Sequence, residues 1–111
     1  MSDLATTVRG SGPDWALIHG WGLHGGVWTE TAEVLAGDRR VMTLDLPGHG
    51  ASRGPVPSTL AGAAAEVARA LPERTTLVGW SLGGLVALRL ALDFPERVVA
   101  LKLVAATPRF E

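Results

Sequence analysis

Residues 77–88 read LVGWSLGGLVAL, with glycines two places before and two places after Ser81. An unbroken apolar run, Leu77 and Val78, leads into Gly79-Trp80-Ser81-Leu82-Gly83. An apolar segment with Leu and Ala recurring at three and four leads out of it, the pattern of a buried strand followed by a helix. A chain that turns from strand to helix in a single residue must hold that residue in a sparsely populated backbone conformation. It also brings the flanking backbone close together, so residues two before and two after cannot carry bulk. Gly79 and Gly83 meet that demand. The turn lifts the Ser81 hydroxyl to the carboxyl edge of a sheet, where open α/β folds bind ligands. It also places the Leu82 N–H at a helix N-terminus, whose unpaired donors favour negative charge. Ser81 is therefore the candidate nucleophile and Leu82 a candidate oxyanion donor. A serine in a turn softened by glycine, with no chemistry, is the bland alternative.

Outward from this point, strand and helix patterns alternate. Ala5–Arg9 is a short strand candidate, closed by a Gly/Pro turn. WALIHG, residues 15–20, has the continuous apolar character of a buried strand. VWTETAEVLAGD, residues 27–38, places Val27, Trp28, Thr31, Val34 and Leu35 at helical spacing, with Gly37 as a stop. RRVMTLDLPGHG is a second core strand ended by Pro47 and Gly48. Residues 57–73 read as a helix with Ser58 or Thr59 as N-cap and Pro72 as terminator. TTLVGW is a third core strand and RVVALKLVAAT a fourth. Such alternation predicts a mostly parallel sheet with helices on both faces and right-handed crossovers.

The stretch ALIHGWGLHGG, residues 16–26, admits two readings. Gly20, Gly22 and Gly25 spell G-x-G-x-x-G after a strand, and Asp45 follows Gly25 by 20 positions, the outline of a dinucleotide-binding unit. With Ser81 as nucleophile, the same loop instead supplies a second oxyanion donor, the Trp21 N–H. Gly26 delays the following helix, Trp21 puts bulk inside the fingerprint, and Asp45 runs into Leu-Pro-Gly-His-Gly. All three favour the oxyanion reading. No Lys follows either glycine cluster, so a phosphate-binding P-loop is excluded.

Composition narrows the classes further. The 111 residues are 47% hydrophobic and 19% charged, with a net charge of −1 and a pI near 6.3. Those values belong to a globular domain and give no electrostatic case for nucleic acid or an anionic membrane. Cysteine is absent, which removes disulfides and thiolate metal sites. Neither a secretory signal nor a run of bilayer length is visible, so a cytoplasmic protein is expected. His19, His24 and His49 have no metal-ligand spacing, and no metal is expected. His19 and His49 read as groups that organise loops, and His24 as an exposed loop residue. Asp45 reads as a strand-end residue, Asp93 and Glu96 as surface charges, Trp15 and Trp28 as packing residues. Trp80 is open between packing and lining a pocket.

Four stretches taken together, LIHGWGLHGGVW, LDLPGHGASRG, LVGWSLGGLVAL and FPERVVALKLVAATPRF, resemble the α/β-hydrolase superfamily in order and spacing. Within it they are most similar to the carboxylesterases that act on the methyl ester of pimeloyl-[acyl-carrier protein] in biotin synthesis. The resemblance implies Ser81 as nucleophile, Trp21 and Leu82 as oxyanion donors lining the substrate site, an ester carried on acyl-carrier protein as substrate, and no cofactor. It also implies that the lid helices, the catalytic Asp and the catalytic His lie beyond Glu111. On that expectation the 111 residues form the N-terminal part of one hydrolase domain, with one sheet edge uncovered beside the last strand and little esterase activity alone. Another chemistry on the same scaffold (a menaquinone-pathway lyase or a C–C hydrolase) and a non-catalytic nucleotide- or acyl-binding module are the alternatives. Oligomeric state and acyl specificity are left open by the sequence.

Overall fold

The computed structural model describes residues 4–20, 25–50, 52, 57 and 59–104. Among these described residues, five strands form one sheet: β1 (Thr6–Arg9), β2 (Asp14–Ile18), β3 (Arg40–Leu44), β4 (Thr75–Trp80) and β5 (Val98–Val104), in the spatial order β1-β3-β2-β4-β5. Interleaved with them, among the described residues, are the α-helices α1 (Thr29–Leu35), α2 (Leu60–Ala70) and α3 (Leu82–Asp93). All pairings are parallel except β1 with β3, which is antiparallel.

The alternating pattern of the strands explains the two cores. Ala16 and Ile18 of β2, Met42 and Leu44 of β3 and Leu77 of β4 face one side. There they pack with Ala64, Val67 and Ala68 of α2 and Val86, Ala87 and Leu90 of α3. Their neighbours Leu17, Val41 and Val78 face the other side, against Trp28 and Ala32. Helices thus cover both faces. The crossover from β2 to β3 runs one way along the sheet, and those from β3 to β4 and from β4 to β5 run the opposite way. Crossovers of a single hand put α1 on one face and α2 and α3 on the other, as observed.

The expected start and stop signals act where the structure can test them. Thr59 caps α2, its Oγ1 accepting from the Gly62 N–H at 3.0 Å, a bond of the kind that stabilises by about 1 kcal/mol. Leu71, before Pro72, is extended at φ −83°, ψ 153°, because the proline ring disfavours helical geometry in the residue preceding it.

The inward stripe of α1 differs from the expected one. A 3-10 turn, Gly25–Trp28, precedes it, and the buried residues are Trp28 and Ala32, four apart, with Leu35 and Ala36 partly buried against them. Val34 is 80% exposed and Thr31 faces solvent. β5 forms the other edge of the sheet, and most of its side chains, including Val99, Leu103 and Val104, are exposed.

Candidate active site

β4 passes into α3 through Ser81 alone. Ser81 has φ 57° and ψ −118°, and it is the one non-glycine residue at positive φ among the described residues. Such a conformation costs about 1–3 kcal/mol and persists only where the surroundings impose it. Two features impose it. The Ser81 carbonyl accepts from the Gly84 N–H at 2.8 Å and the Leu85 N–H at 3.2 Å, which closes the first turn of α3. The glycines then allow close approach. A methyl group at Gly79 would sit 2.5 Å from the Gly83 carbonyl oxygen, and one at Gly83 would sit 2.2 Å from the Ile18 and 2.5 Å from the His19 carbonyl oxygens. Strand, corner and helix are pressed together with no room for a Cβ.

The Ser81 side chain is exposed and makes no capping bond to α3. Leu82, half-buried, is the first helical residue, so its N–H has no intrahelical acceptor and lies at the positive end of a three-turn helix. Because Gly83 rests on the carbonyls of Ile18 and His19, the exit of β2 lies directly beside this helix terminus. β2 and β4 are neighbours, with Ile18 opposite Gly79. The connections after them diverge, one to β3 and one to β5. That divergence is a topological switch point, where open α/β sheets form their ligand crevice. Trp21, the other expected donor, lies outside the described residues, as does His24. Gly20, which precedes Trp21, is buried.

The loop-forming residues fall into a connected set. His19 is fully buried; its Nδ1 lies 2.6 Å from the Gly20 carbonyl oxygen and its Nε2 accepts from the Leu46 N–H at 2.8 Å. With both nitrogens spent on backbone, His19 cannot take a proton from Ser81. His49 donates from Nδ1 to the Pro47 carbonyl at 3.0 Å, and the two imidazoles lie 5.3 Å apart. Both histidines organise loops, as expected. Asp45 follows the end of β3; its N–H donates to the Ala5 carbonyl at 2.9 Å, and its carbonyl accepts from the Ser52 hydroxyl. Ser52 in turn accepts from the Ala5 N–H at 2.9 Å. Sequence reasoning assigned Ser52 no role, although it closes the L-D-L-P-G-H-G-A-S stretch and ties it to the start of β1.

The dinucleotide reading of the glycine loop does not survive this geometry. The loop leads into a 3-10 turn rather than a helix N-terminus, and α1, only seven residues long, begins at Thr29 without a side-chain cap. Asp45 has its backbone N–H and C=O bonded to Ala5 and Ser52. The tryptophans mostly pack. Trp28 is buried and meets Trp80 edge-on at 6.4 Å, next to Ser81. Trp15 carries the Arg39 guanidinium 4.5 Å above its ring and the Lys102 ammonium at 5.8 Å, cation–π contacts the sequence did not announce. Asp93 pairs with Arg89 one turn earlier at 2.9 Å. Among the described residues there is no cluster of three potential metal ligands, and no helix is long and apolar enough to cross a membrane.

Arg97 also went unassigned in the sequence. Its guanidinium donates to the carbonyls of Ala68, Leu71, Pro72 and Glu73 at 2.8–3.3 Å. One cation thereby satisfies the C-terminal end of α2 and the chain that follows it.

The family model described as alpha/beta hydrolase fold matches residues 17–111. The chain belongs to the alpha/beta hydrolase fold family. Its curated relatives include a pimeloyl-[acyl-carrier protein] methyl ester esterase of Nitrosomonas europaea, 47% identical over 99% of this chain and 44% of that protein. The proteins of the same name from Aeromonas hydrophila and Chromobacterium violaceum are 52% and 50% identical, over 91% and 97% of this chain and 41% and 42% of theirs. The chain thus spans a little over two-fifths of the length of these relatives. Among solved structures it is similar to an N-acyl homoserine lactone degrading enzyme (TM-score 0.87, 28% identity, 92% of this chain and 41% of that one). It is also similar to a putative epoxide hydrolase from Pseudomonas aeruginosa (TM-score 0.85, 33% identity, 95% and 38%). An alpha/beta hydrolase fold with a mostly parallel five-stranded sheet is therefore the architecture of this chain.

Proposed function

We propose that this chain carries the nucleophile and oxyanion hole of a serine carboxylesterase that hydrolyses the methyl ester of pimeloyl-[acyl-carrier protein]. The observation that carries the reading is Ser81, held at positive φ with an exposed side chain, at the N-terminus of α3 and at the switch point between β2 and β4. Geometry of this kind supports acyl transfer, while the fold itself hosts many chemistries. The choice of substrate rests on the relatives' names. In the proposed reaction Ser81 Oγ attacks the ester carbonyl carbon, and its proton passes to a base. The tetrahedral oxyanion accepts from the Leu82 and Trp21 N–H groups. The C–O bond to methanol breaks as that base returns the proton to the leaving oxygen, and water then releases the pimeloyl chain from Ser81. His19 is not that base, since both of its ring nitrogens are in backbone bonds. The substrate partner is then an acyl-carrier protein, in the cytoplasm, and the reaction needs no cofactor.

The test is methanol release from pimeloyl-[acyl-carrier protein] methyl ester by the complete gene product carrying this sequence. Ser81→Ala is expected to lower kcat by about 10⁴–10⁶-fold. Near wild-type turnover by that variant overturns the assignment.

A further inference from the structure

We infer that Trp28 is a positioning residue for the nucleophile, acting through Trp80. Its indole braces the last side chain of β4 and thereby the backbone from which Ser81 departs. This deepens the esterase reading above and rests on it. Trp28 is 6% exposed, in a cluster with Leu17, Ala32, Val41 and Val78, and Trp80 packs against the same cluster. The two rings meet edge-on, with centroids 6.4 Å apart and planes at 76°, an arrangement that aromatic quadrupoles favour. Trp28 Nε1 is buried and has no hydrogen-bond partner among the described residues. A donor left unpaired in a core carries the full cost of its desolvation, so its presence needs a cause. Phenylalanine would fill most of the site without that cost. What the smaller ring lacks is the breadth that brings the indole against Trp80.

Trp80 is where β4 needs such a brace. Pairing with β2 ends at Ile18 opposite Gly79, so Trp80 has a strand neighbour only on the β5 side, at Val104, the last residue of that strand. One planar peptide unit joins Trp80 to Ser81. Whatever fixes Trp80 therefore fixes the plane from which the strained φ of 57° at Ser81 is turned. From the helix side, the Ser81 side chain has no capping bond to hold it. A tryptophan that only fills space would cost stability when trimmed. A brace acting through Trp80 costs rate as well.

Ester hydrolysis and urea unfolding of variants of the complete gene product separate these roles. Trp28→Phe leaves Trp80 room to shift by part of an ångström. A misplacement near 1 Å costs on the order of 10²-fold in rate, so kcat is expected to fall about tenfold with KM within about threefold. Val41→Ala trims the same cluster from β3, which β2 separates from β4. Its urea midpoint should fall while kcat stays within about twofold of wild type, as expected of a cavity away from the corner. Trp80→Leu removes the ring that transmits the contact, so adding Trp28→Phe to it should change kcat by less than about twofold, the non-additivity of residues in contact. An unchanged kcat in Trp28→Phe, an equal kcat loss in Val41→Ala, or losses that multiply in the double variant overturn the inference. So does ¹H–¹⁵N NMR of the wild-type protein if the Trp28 indole proton resonates downfield as a hydrogen-bonded one; this readout holds even if no variant folds. Ser81→Ala in parallel keeps the outcomes apart, because activity surviving in that variant overturns the esterase reading itself.

Discussion

Gly83→Ala tests the corner on which the site depends. The added methyl would lie 2.2 Å from the Ile18 carbonyl oxygen and 2.5 Å from that of His19. Both obstacles are backbone, at the end of a strand paired with β3 on one side and β4 on the other, so β2 cannot yield. The first turn of α3 must yield instead. Reaching 3.0 Å, below which such contacts are essentially never seen, requires an opening of 0.8 Å at Ile18. Oxyanion donors work within a window of about 2.7–3.1 Å, so the displacement is about twice that window. A misplacement near 1 Å costs on the order of 10²-fold in rate, and overpacking costs about 1–3 kcal/mol in folding. Gly84→Ala is the control one residue on. Its methyl would meet Leu103 Cδ2 at 3.4 Å and the Gly79 carbonyl oxygen and carbon at 3.5 and 3.8 Å, all ordinary van der Waals contacts. Replacing glycine by alanine in a helix interior is then expected to stabilise by about 0.5–1 kcal/mol. Urea unfolding and ester hydrolysis by both variants of the complete gene product provide the comparison. An unperturbed Gly83→Ala, or a Gly84→Ala equally damaged, would refute the steric account of the corner.

Ser81→Gly is expected to raise stability by about 1–3 kcal/mol while abolishing hydrolysis, because glycine relieves the strain at φ 57°; a lowered urea midpoint would contradict the strain. Arg97→Met keeps the side-chain stem but removes the donors to four carbonyls. A loss of about 1.5–3 kcal/mol is expected in urea unfolding. Arg97→Lys should recover only part of it, since an ammonium lacks the planar fork, and full recovery would show that charge alone suffices.

What the sequence made legible was local and periodic. Continuous apolar runs with flanking Gly and Pro located the strands, and G-x-S-x-G announced the corner because steric demands on Gly79 and Gly83 act within a few residues of Ser81. Long-range hydrogen bonds left no such trace. Arg97 reaches carbonyls 24 to 29 residues away, and Ser52 bridges segments 47 residues apart. The α1 stripe was misread only in part, and for a different reason. Trp28 and Leu35 of the expected stripe do pack toward the sheet, but Ala32, too small to mark a periodic face, completes the contact in place of Thr31 and Val34. Val34 was left outside. The antiparallel direction of β1 was equally hidden, because four exposed residues carry no alternation.

The strain at Ser81 is local, and what sustains it is not. Ser81 and the exit of β2 lie more than 60 residues apart and meet only because the crossover from β3 to β4 passes over β2. The corner is then held by the helix behind it. Val86 and Leu90 of α3 are fully buried, each contributing about 1.5–3 kcal/mol, which outweighs the 1–3 kcal/mol stored in one residue's backbone. The helix would therefore dock without the strained serine, so the strain is not something the fold requires. It is the cost of presenting a hydroxyl to the crevice with a helix N-terminus directly beneath it, and that is why relieving it should stabilise the molecule while ending the chemistry.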